Sequence, residues 1–383
     1  MAKLKKILLL TDGIYPYVMG GMQKHSYYLA KYLTLNGVDV TLVHFSNKDI
    51  IDEKSEIAFS TFDLSKITFK SFQFPKLFPF PGHYLKESKL YSKSVFDYFK
   101  NNLDDFDAIY AQGFTGWVFV ENRGKIKPPI FSNFHGYEMF QKTPSFQHLL
   151  QQFLLKKPVQ FISKSSDFVF SFGGNISQIL FNMGVDKSKI IECPIGIERD
   201  WLNAQSLTVN KTRRFVFVGR YERRKGIEEL NKAIDLLPKN LDFYLDFIGP
   251  IPNDKELQSK KITYHGLLQD SEKIKKILRA SDVLVCSSYS EGMPTVIMEA
   301  MASGMAILAT NVGAVSSQVS DQNGILMDEL NISNLKTAIE NFINMSDEQL
   351  LKKKSVSLQR VQDMFLWENV IKHKIKEIEK RLN

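Results

Sequence analysis

Two carboxylates stand eight positions apart in the stretch SEGMPTVIMEAMASG, residues 290–304. Glu291 falls in a predicted loop, and Glu299 falls inside the helix predicted to follow it. A carboxylate in either place can accept hydrogen bonds from the neighbouring hydroxyls of a sugar or a ribose, each contributing roughly 1.5–3 kcal/mol. The alternative, an acid that is merely favourable near a helix start, accounts for Glu299 but not for both glutamates.

The residues between the two glutamates favour an anion-binding turn. Pro294 suits the first turn of a helix, where no amide donor is needed, and Gly304 is placed to end that helix. Gly292, Met293 and Thr295 can turn free backbone N–H groups towards a bound anion, assisted by the helix dipole. The stretch therefore predicts a ligand site.

A basic pair follows an earlier strand, in VFVGRYERRKGIEEL at 216–230. The strand ends at Gly219, and Arg220 and Lys225 come within the short loop before a helix. Parallel α/β sheets bind ligands at the carboxyl ends of their strands, and fixed cations there suit a diphosphate. Taken alone, such a pair is more often part of a solvated surface.

The elements that must position these residues alternate between strand and helix. Strands are predicted at 5–11, 39–45, 107–112, 129–135 and 167–172, and again at 214–220, 244–250, 262–266, 282–288 and 305–310. Helical stretches fit between them at 22–35, 86–101, 226–237, 270–279 and 294–303. This alternation predicts parallel sheets with crossover helices, the α/β class.

The pattern restarts after a polar stretch at 201–213, which is the best candidate for a domain linker. We therefore predict two successive α/β domains, 1–200 and 201–366, with a cleft between them. The last helix, predicted within 367–383, can pack against either domain, including back onto the first.

Composition narrows the class of protein. The chain has 383 residues, 44% hydrophobic and 24% charged, as in soluble globular proteins of two domains. The apolar run near the N-terminus is cut off by Asp12, so a first strand is favoured over a signal peptide. Two cysteines fit a reducing, cytoplasmic setting. The net charge of +8 favours anionic ligands or an anionic membrane surface over nucleic acid, for which we find no binding motif. A mildly basic, solvated surface explains the charge equally well.

Two segments interrupt the alternation. Residues 69–84 are rich in Phe and Pro, and residues 146–157 place apolar side chains at helical spacing before two lysines. An amphipathic helix beside an aromatic loop can meet a membrane or a lipid acceptor, which would place the protein peripherally at the inner face of a membrane. For each segment alone, an ordinary loop or a core-facing helix is the simpler interpretation.

Several motifs of this sequence occur in the same order as in one enzyme family. They are a Gly-Gly loop with its following helix in 15–43, NFHGYE at 133–138, CPIGIE at 193–198, the Gly-Arg-x4-Lys-Gly segment 219–226, HGLL at 265–268 and the Glu-x7-Glu pair. Together the chain resembles retaining glycosyltransferases of family 4, over nearly its whole length. The resemblance implies the GT-B architecture, in which two Rossmann-like, doubly wound domains face a cleft, the first binding the acceptor and the second the nucleotide-sugar donor.

The resemblance also implies roles. Arg220 and Lys225 would bind the diphosphate, Glu291 the donor sugar and Glu299 the ribose. The implied donor-binding residues are Gly20, Gly21, Gly219, Arg220, Lys225, Leu267, Leu268, Glu291, Gly292, Met293, Pro294, Thr295 and Glu299. The implied catalytic residues are His135, Arg220, Lys225 and Glu291. We interpret His25 as a packed helix residue, because it shares a face with Leu29 and Leu33.

The implied reaction moves a sugar from a UDP-, GDP- or ADP-sugar to a glycan or lipid-linked acceptor, with retention and with no metal or other cofactor. Synthesis of bacterial surface polysaccharide, lipopolysaccharide or glycolipid is the expected setting. Two alternatives keep the architecture, a nucleotide-sugar epimerase and a non-catalytic sugar-binding protein. A nicotinamide-dependent oxidoreductase is disfavoured, because the first strand is not followed by Gly-x-Gly-x-x-Gly.

The chain departs from the family pattern in two places. Ile195 and Glu198 stand where the turn motif usually has Asn and Asp, and Gly313, Ala314 and Ser317 stand where Gly-Gly and Glu are usual. The first change falls in a structural turn. The second bears on contacts to the sugar or on helix capping and weakens any assignment of the donor. The nucleotide base, donor sugar, acceptor and oligomeric state therefore stay open.

Overall fold

The computed structural model describes residues 3–45, 58–142 and 146–382, with only the backbone described at 146–151. Two parallel sheets organise these residues. The first contains β1 Lys6–Leu10, β2 Asp39–Phe45, β3 Ile67–Phe72, β4 Ala108–Gln112, β5 Ile130–Asn133, β6 Phe168–Ser171 and β7 Ile190–Glu192. The second contains β8 Arg213–Val218, β9 Phe243–Ile248, β10 Ile262–Tyr264, β11 Val283–Cys286, β12 Ala306–Thr310 and β13 Gly324–Met327.

Helices cover both faces of the sheets, which is why strands such as β1, KILLL, are continuous apolar runs and not alternating ones. The first half carries α1 Gly21–Leu35, α2 His83–Phe99, α3 Trp117–Glu121, α4 Phe146–Ser165 and α5 Asn175–Asn182. The second half carries α6 Ile227–Asp235, α7 Ser271–Arg279, α8 Thr295–Ala302, α9 Val315–Gln318, α10 Ile332–Ile343 and α11 Asp347–Arg360, and α12 Trp367–Glu379 ends the fold. The predicted α/β class with two doubly wound domains is confirmed.

The strand order reverses once in each sheet and thereby places the site. The orders are β3-β2-β1-β4-β5-β6-β7 and β10-β9-β8-β11-β12-β13. The chain therefore switches direction beside β1 and β4 in one sheet and beside β8 and β11 in the other. Crevices form at such switch points outside the carboxyl ends of the strands, and the loops that open there carry the motifs identified above.

The segment 69–84 was predicted as an interruption, and this is wrong for its first four residues. Residues 69–72 belong to β3, which pairs in parallel with β2, with Val40 opposite Ile67. As an edge strand β3 is covered less completely than the central strands, so its sequence lacks their continuous apolar run. The edge strands β7 and β13 were also not predicted from the sequence.

The chain crosses back to the first half at its end. After α11 on the second half, Phe365 and Trp367 bracket Ile197 with backbone hydrogen bonds of 2.7 and 3.1 Å, and α12 then packs against α1. The Trp367 ring stacks on Tyr32 with centroids 5.6 Å apart and is almost completely buried. The last helix thus ties the two halves together. Within the described residues, none of the helices has the length and hydropathy needed to cross a membrane.

Candidate active site between the two sheets

The basic loop after β8 and the acidic loop after β11 meet because the two strands are neighbours. The Nζ atom of Lys225 lies 2.6 Å from Oε1 of Glu291, and the Ser288 hydroxyl donates to the same oxygen at 2.7 Å. A guanidinium nitrogen of Arg224 lies 3.6 Å from the other oxygen, Oε2. Glu291 is only 6% exposed, so this carboxylate is held in one orientation by charge-assisted contacts.

The first half of the chain holds the backbone of the same glutamate. The amide side chain of Gln141 donates from Nε2 to the Glu291 carbonyl at 2.7 Å and accepts from the Glu291 N–H at 3.3 Å. Asn175 makes a second bridge, donating from its backbone N–H to the Gly313 carbonyl at 2.8 Å. Both loops therefore face each other across the cleft in a defined register.

His135 enters the cleft from the carboxyl end of β5. Its backbone has φ 47°, a left-handed conformation that is uncommon outside glycine, and its N–H donates to Asn133 Oδ1 at 2.9 Å. Burial, and then the charge of Lys374, lower the pKa of His135 to about 3. The neutral ring donates from Nε2 to Gln112 Oε1 at 2.6 Å, which leaves Nδ1 as an acceptor.

These residues surround one cavity of about 300 Å³ between the halves. Its walls from the first half include Gly21, at the start of α1, and His135. Its walls from the second half are Val218, Lys225, and the run Glu291, Gly292, Met293, Pro294, Thr295 and Val296. That run leads into α8, whose first N–H groups have no partners within the helix and are available to an anion.

Glu299 does not share this cavity. It lines a smaller one, of about 60 Å³, on the other side of Thr295, together with Lys24 and His25. Burial raises the pKa of Glu299, and the charge of Lys24 opposes that shift. The two glutamates therefore serve neighbouring compartments and do not form an acid pair.

His25 is buried as predicted, at 2% exposure, and packs against two other rings of the site. Its ring lies 4.6 Å from that of His135 and 5.4 Å from that of Trp367, measured between centroids. Both ring nitrogens lack a hydrogen-bond partner among the described residues. Burial lowers its pKa well below the usual value, so the ring is neutral.

Three predicted donor residues stand apart from this centre. Arg220 has a side chain 73% exposed and pairs with Glu222 at 2.9 Å, away from the cavity walls. Leu267 is 65% exposed, whereas Leu268 packs partly into the core. They follow the carboxyl ends of β8 and β10 and form the outer rim of the second half.

Glycine is required at two positions of the cleft, one facing the first half and one within the second half. A Cβ at Gly292 would lie 2.3 Å from the His135 carbonyl oxygen, and one at Gly313 would lie 2.1 Å from the Glu291 carbonyl oxygen. Gly313 also has φ 54°. At Gly21, in contrast, a Cβ would meet nothing within 4 Å, and Gly20 is the extended residue before α1. Gly219 follows β8 directly.

The departures from the family pattern have local reasons. Glu198 accepts from Lys31 Nζ at 2.8 Å and from the Tyr32 hydroxyl at 2.9 Å, so the longer side chain ties its turn to α1. Ile195 is 7% exposed and its N–H contacts Met293 Sδ at 3.3 Å, which makes it an apolar wall of the cavity. Gly313 to Ser317 lie against the first half, where Ser317 approaches Gly173.

Sequence reasoning missed several side chains of the centre. They are Gln112, Gln141, Arg224 and Ser288. Arg224 was visible as part of the basic run before Lys225, and Ser288 as a polar residue at the end of β11. The two glutamines gave no signal, because their partners lie 23 and 150 positions away in the chain.

One Asp-x-Asp triplet, Asp105 to Asp107, occurs in the sequence. It lies at the amino ends of the strands of the first sheet, whereas the cleft lies at their carboxyl ends. Asp107 accepts there from the backbone N–H groups of Lys5 and Lys6, at 2.7 and 2.8 Å, so it caps the amino end of β1. Among the described residues no group of three or more His, Cys, Asp and Glu side chains is arranged to hold a metal ion. Both cysteines are free and buried.

The arrangement suits a ligand with a charged and a hydroxylated end. Lys225 and the amide end of α8 provide positive potential on one wall of the cavity. Glu291 and the neutral ring of His135 provide hydrogen-bonding groups on opposite walls. Electrostatic stabilisation of a departing anion, and orientation of a polar group beside it, are the two actions that this geometry supports.

Comparison with known protein families divides the chain at the same place as its two sheets. A model described as Glycosyltransferase Family 4 matches residues 19–201, and one described as Glycosyl transferases group 1 matches residues 199–355. The two matches adjoin and together take in both sheets almost completely.

Individual proteins agree with these matches. The chain is 33% identical over 172 residues to a putative teichuronic acid biosynthesis glycosyltransferase, TuaC, of Bacillus subtilis, but this covers only 42% of either protein. It is 24% identical to N,N'-diacetylbacillosaminyl-diphospho-undecaprenol alpha-1,3-N-acetylgalactosaminyltransferase of Campylobacter jejuni, over 65% of this chain and 69% of the relative. The solved structure of Anabaena HepE in complex with UDP-glucose superimposes with a TM-score of 0.68 over 98% of this chain and 99% of HepE, at 15% identity, a likeness of fold alone.

Proposed function

The chain belongs to the family 4 glycosyltransferases, which are built on the GT-B fold, and from that premise we propose that it moves a sugar from a nucleotide-diphosphate sugar to an acceptor. The observation that carries the proposal is the single cavity in which Lys225, the amide end of α8, Glu291 and His135 converge. A diphosphate, a sugar and an attacking hydroxyl need such a set of groups within one cleft.

The donor lies along the second half of the cleft. Lys225 and the N–H groups that begin α8 hold the diphosphate, and Glu291 accepts hydrogen bonds from the sugar. Glu299 receives the ribose in the adjoining compartment, and the loop at Leu267 and Leu268 flanks the base. Arg220, now at the exposed rim, reaches the diphosphate by leaving Glu222.

Transfer proceeds with retention and on the front side of the sugar. The acceptor hydroxyl oxygen bonds to the anomeric carbon while the bond from that carbon to the diphosphate oxygen breaks, and an oxygen of the departing diphosphate takes the hydroxyl proton. Lys225 and the helix amides stabilise the growing negative charge, so no metal ion is required. Glu291 is held by Lys225, Ser288 and Arg224 and therefore orients the sugar and does not attack it. His135 orients the sugar from the opposite wall.

The acceptor is a glycan or a lipid-linked sugar and approaches from the first half. The Campylobacter relative is named for an undecaprenol-linked acceptor, and Bacillus TuaC for teichuronic acid synthesis, which supports an acceptor of this chemistry. Synthesis of bacterial surface polysaccharide or glycolipid is the setting that we propose.

A stripe on α4 supports a peripheral position at an anionic membrane. Phe153, Lys157, Phe161 and Lys164 recur at helical spacing, and all four side chains are exposed. The exposed fractions of the two rings are 67% and 42%, and the helix contains no acidic residue. Aromatic rings that enter the headgroup region beside lysines that meet anionic lipid are the usual features of an interfacial helix.

The test of the proposal begins with binding of UDP, GDP, ADP and their sugars, measured by calorimetry. A single nucleotide that binds tightly identifies the donor, which is then incubated with polyprenol-diphosphate-linked sugars and the products analysed for anomeric configuration. Binding of none of these nucleotides would exclude the proposed function. Turnover of the donor without any acceptor, giving an epimer, would assign the cavity to an epimerase instead.

A further inference from the structure

Lys374 is a lysine in the interior of the first half, although it comes from the last helix of the chain. Its side chain is 0% exposed. Its Nζ atom lies 4.0 Å from the ring centroid of Phe170 and 3.3 Å from the Tyr110 hydroxyl, to which it donates. No carboxylate pairs with it in the part of the chain that the structure describes. The Cys193 thiol also interacts with the ammonium group. Burial of a cation that is compensated only by rings, a hydroxyl and a thiol costs free energy, and the packing of α12 on the first half does not by itself require it.

The Tyr110 hydroxyl, which accepts the hydrogen bond from Lys374, begins a chain of hydrogen bonds to the candidate active site. Asn133 donates from Nδ2 to the same Tyr110 oxygen at 3.2 Å. The carbonyl oxygen of the Asn133 side chain accepts the backbone N–H of His135 at 2.9 Å. The ring of His135 is fixed in turn by Gln112, which follows Tyr110 on β4. Every link from α12 to the cleft is thus a hydrogen bond between named atoms.

His135 needs such support because its backbone is in the left-handed region, at φ 47°. A non-glycine residue stays there only when its surroundings hold it, and the Asn133 side chain is what holds its N–H. The charge of Lys374 contributes, after burial, to keeping the ring of His135 neutral. The lysine therefore acts on both the conformation and the protonation of this residue.

We infer that Lys374 is a positioning residue for sugar transfer, which places His135 through Tyr110 and Asn133 and couples the crossing of the last helix to the geometry of the cleft. The inference rests on the proposed function only in taking His135 as a residue of the reaction. Lys374 itself touches neither donor nor acceptor.

Three variants of the full chain test it. Lys374→Met removes the charge and the donor at similar volume, and Tyr110→Phe removes the hydroxyl that joins Lys374 to Asn133 but keeps the ring. Lys372→Met changes an exposed lysine of the same helix and serves as the matched control. We expect both interior variants to lose roughly 10- to 100-fold in kcat, with the KM for the donor changed less than about threefold. The control should match the wild type.

The double variant separates positioning from simple packing. If the path is one unit, Lys374→Met combined with Tyr110→Phe loses no more activity than the worse single variant, whereas independent packing defects multiply. Should Lys374→Met fail to fold, Tyr110→Phe alone carries the test. Normal kcat in a folded Tyr110→Phe variant would overturn the inference, even if its melting temperature fell.

An NMR measurement distinguishes failure of this inference from failure of the proposed function. The imidazole ¹H and ¹⁵N signals of His135, assigned with a His135→Gln variant, should shift in Lys374→Met and in Tyr110→Phe but not in Lys372→Met. Shifted signals in an enzyme without transferase activity would refute the proposed function and retain the coupling. Unshifted signals in both interior variants would refute the coupling, whatever the activity.

Discussion

The ammonium nitrogen of Lys225 and the carboxylate oxygen Oε1 of Glu291 lie 2.6 Å apart, so the cation assigned to the diphosphate and the carboxylate assigned to the sugar form one ion pair. Their side chains are 16% and 8% exposed. A donor that brings a diphosphate into the cavity therefore competes with Glu291 for Lys225. Arg224, 3.6 Å from the other carboxylate oxygen, can then balance the glutamate.

Glu291→Gln and Lys225→Met should separate sugar orientation from diphosphate binding. The glutamine variant keeps Lys225 for the nucleotide, so its affinity for free nucleotide should stay within a few-fold while kcat falls roughly 100- to 1,000-fold. The methionine variant should weaken free nucleotide by roughly 10- to 100-fold, because a charge-assisted contact is lost. Calorimetry with nucleotide and initial rates with the sugar donor give the two quantities. Equal loss of nucleotide affinity in both variants would contradict the separate roles.

Gly292→Ala should push the two halves of the cleft apart. The added Cβ would lie 2.3 Å from the His135 carbonyl oxygen and 3.2 Å from Gly136 Cα, and both are backbone atoms that cannot rotate away. We expect a loss of at least about tenfold in kcat/KM, since small displacements of reacting groups have effects of that size. Steady-state kinetics and the melting temperature are measured together.

Gly124→Ala is the control for that variant, because a Cβ there meets nothing within 4 Å and the residue is remote from the cavity walls. Gly21→Ala provides a second comparison, since it too has open space but lines the cavity. The Gly21→Ala variant should fold normally and have a higher KM for the donor. Full activity of Gly292→Ala would show that the observed approach of the halves is not needed for turnover.

The buried His25 should make the fold less stable in mild acid. Its pKa is lowered well below 6.5 in the folded state, so between that value and pH 6.5 the unfolded chain binds the proton more readily. The free energy of unfolding contributed by this group is therefore complete above pH 6.5 and falls as the pH drops, by up to about 1.4 kcal/mol per pH unit. Asp12 acts in the opposite sense, because burial raises its pKa to about 6.

The comparison that isolates this effect is between the wild type and His25→Phe, by urea unfolding at pH 7.5, 6.5 and 5.5. The contributions of groups common to both proteins, including Asp12 and His135, to the pH dependence of the unfolding free energy then cancel to first order. The wild type should lose stability more steeply below pH 6.5 than the variant. Parallel curves would mean that His25 titrates normally in the folded protein.

The exposed stripe on α4 should direct the protein to anionic vesicles. Wild-type protein should sediment with phosphatidylglycerol vesicles and not with phosphatidylcholine vesicles, and binding should weaken as salt rises. Phe153→Ser combined with Phe161→Ser should bind at least about tenfold more weakly, because two rings no longer enter the interface. Phe181→Ser, which alters a ring 45% exposed on α5, is the matched control. Equal binding by all three proteins would exclude the stripe as the contact surface.

Much of the fold could be read from the chain because its signals are local. Apolar runs of five to seven residues mark strands that are buried on both faces, and Gly304, with φ 77°, ends α8 as predicted. The Lys225 loop and the Glu291 loop both follow strands of a predicted parallel sheet, so the sequence placed both loops at the carboxyl ends of the strands. That the two strands are neighbours, so that the loops meet, was decided by the strand order of the folded sheet. The spacing of Glu291 and Glu299 likewise follows from the length of a loop and the first turns of a helix.

Long-range contacts decided the rest. Glu291 is oriented by Gln141, 150 positions away, and His135 is supported by a lysine near the end of the chain. Arg220, which the motif groups with Lys225, instead turns outward to Glu222. A motif specifies which backbone enters a cleft, but the direction of each side chain depends on the charges and volumes that the other half of the molecule places around it, and only the folded chain brings these together.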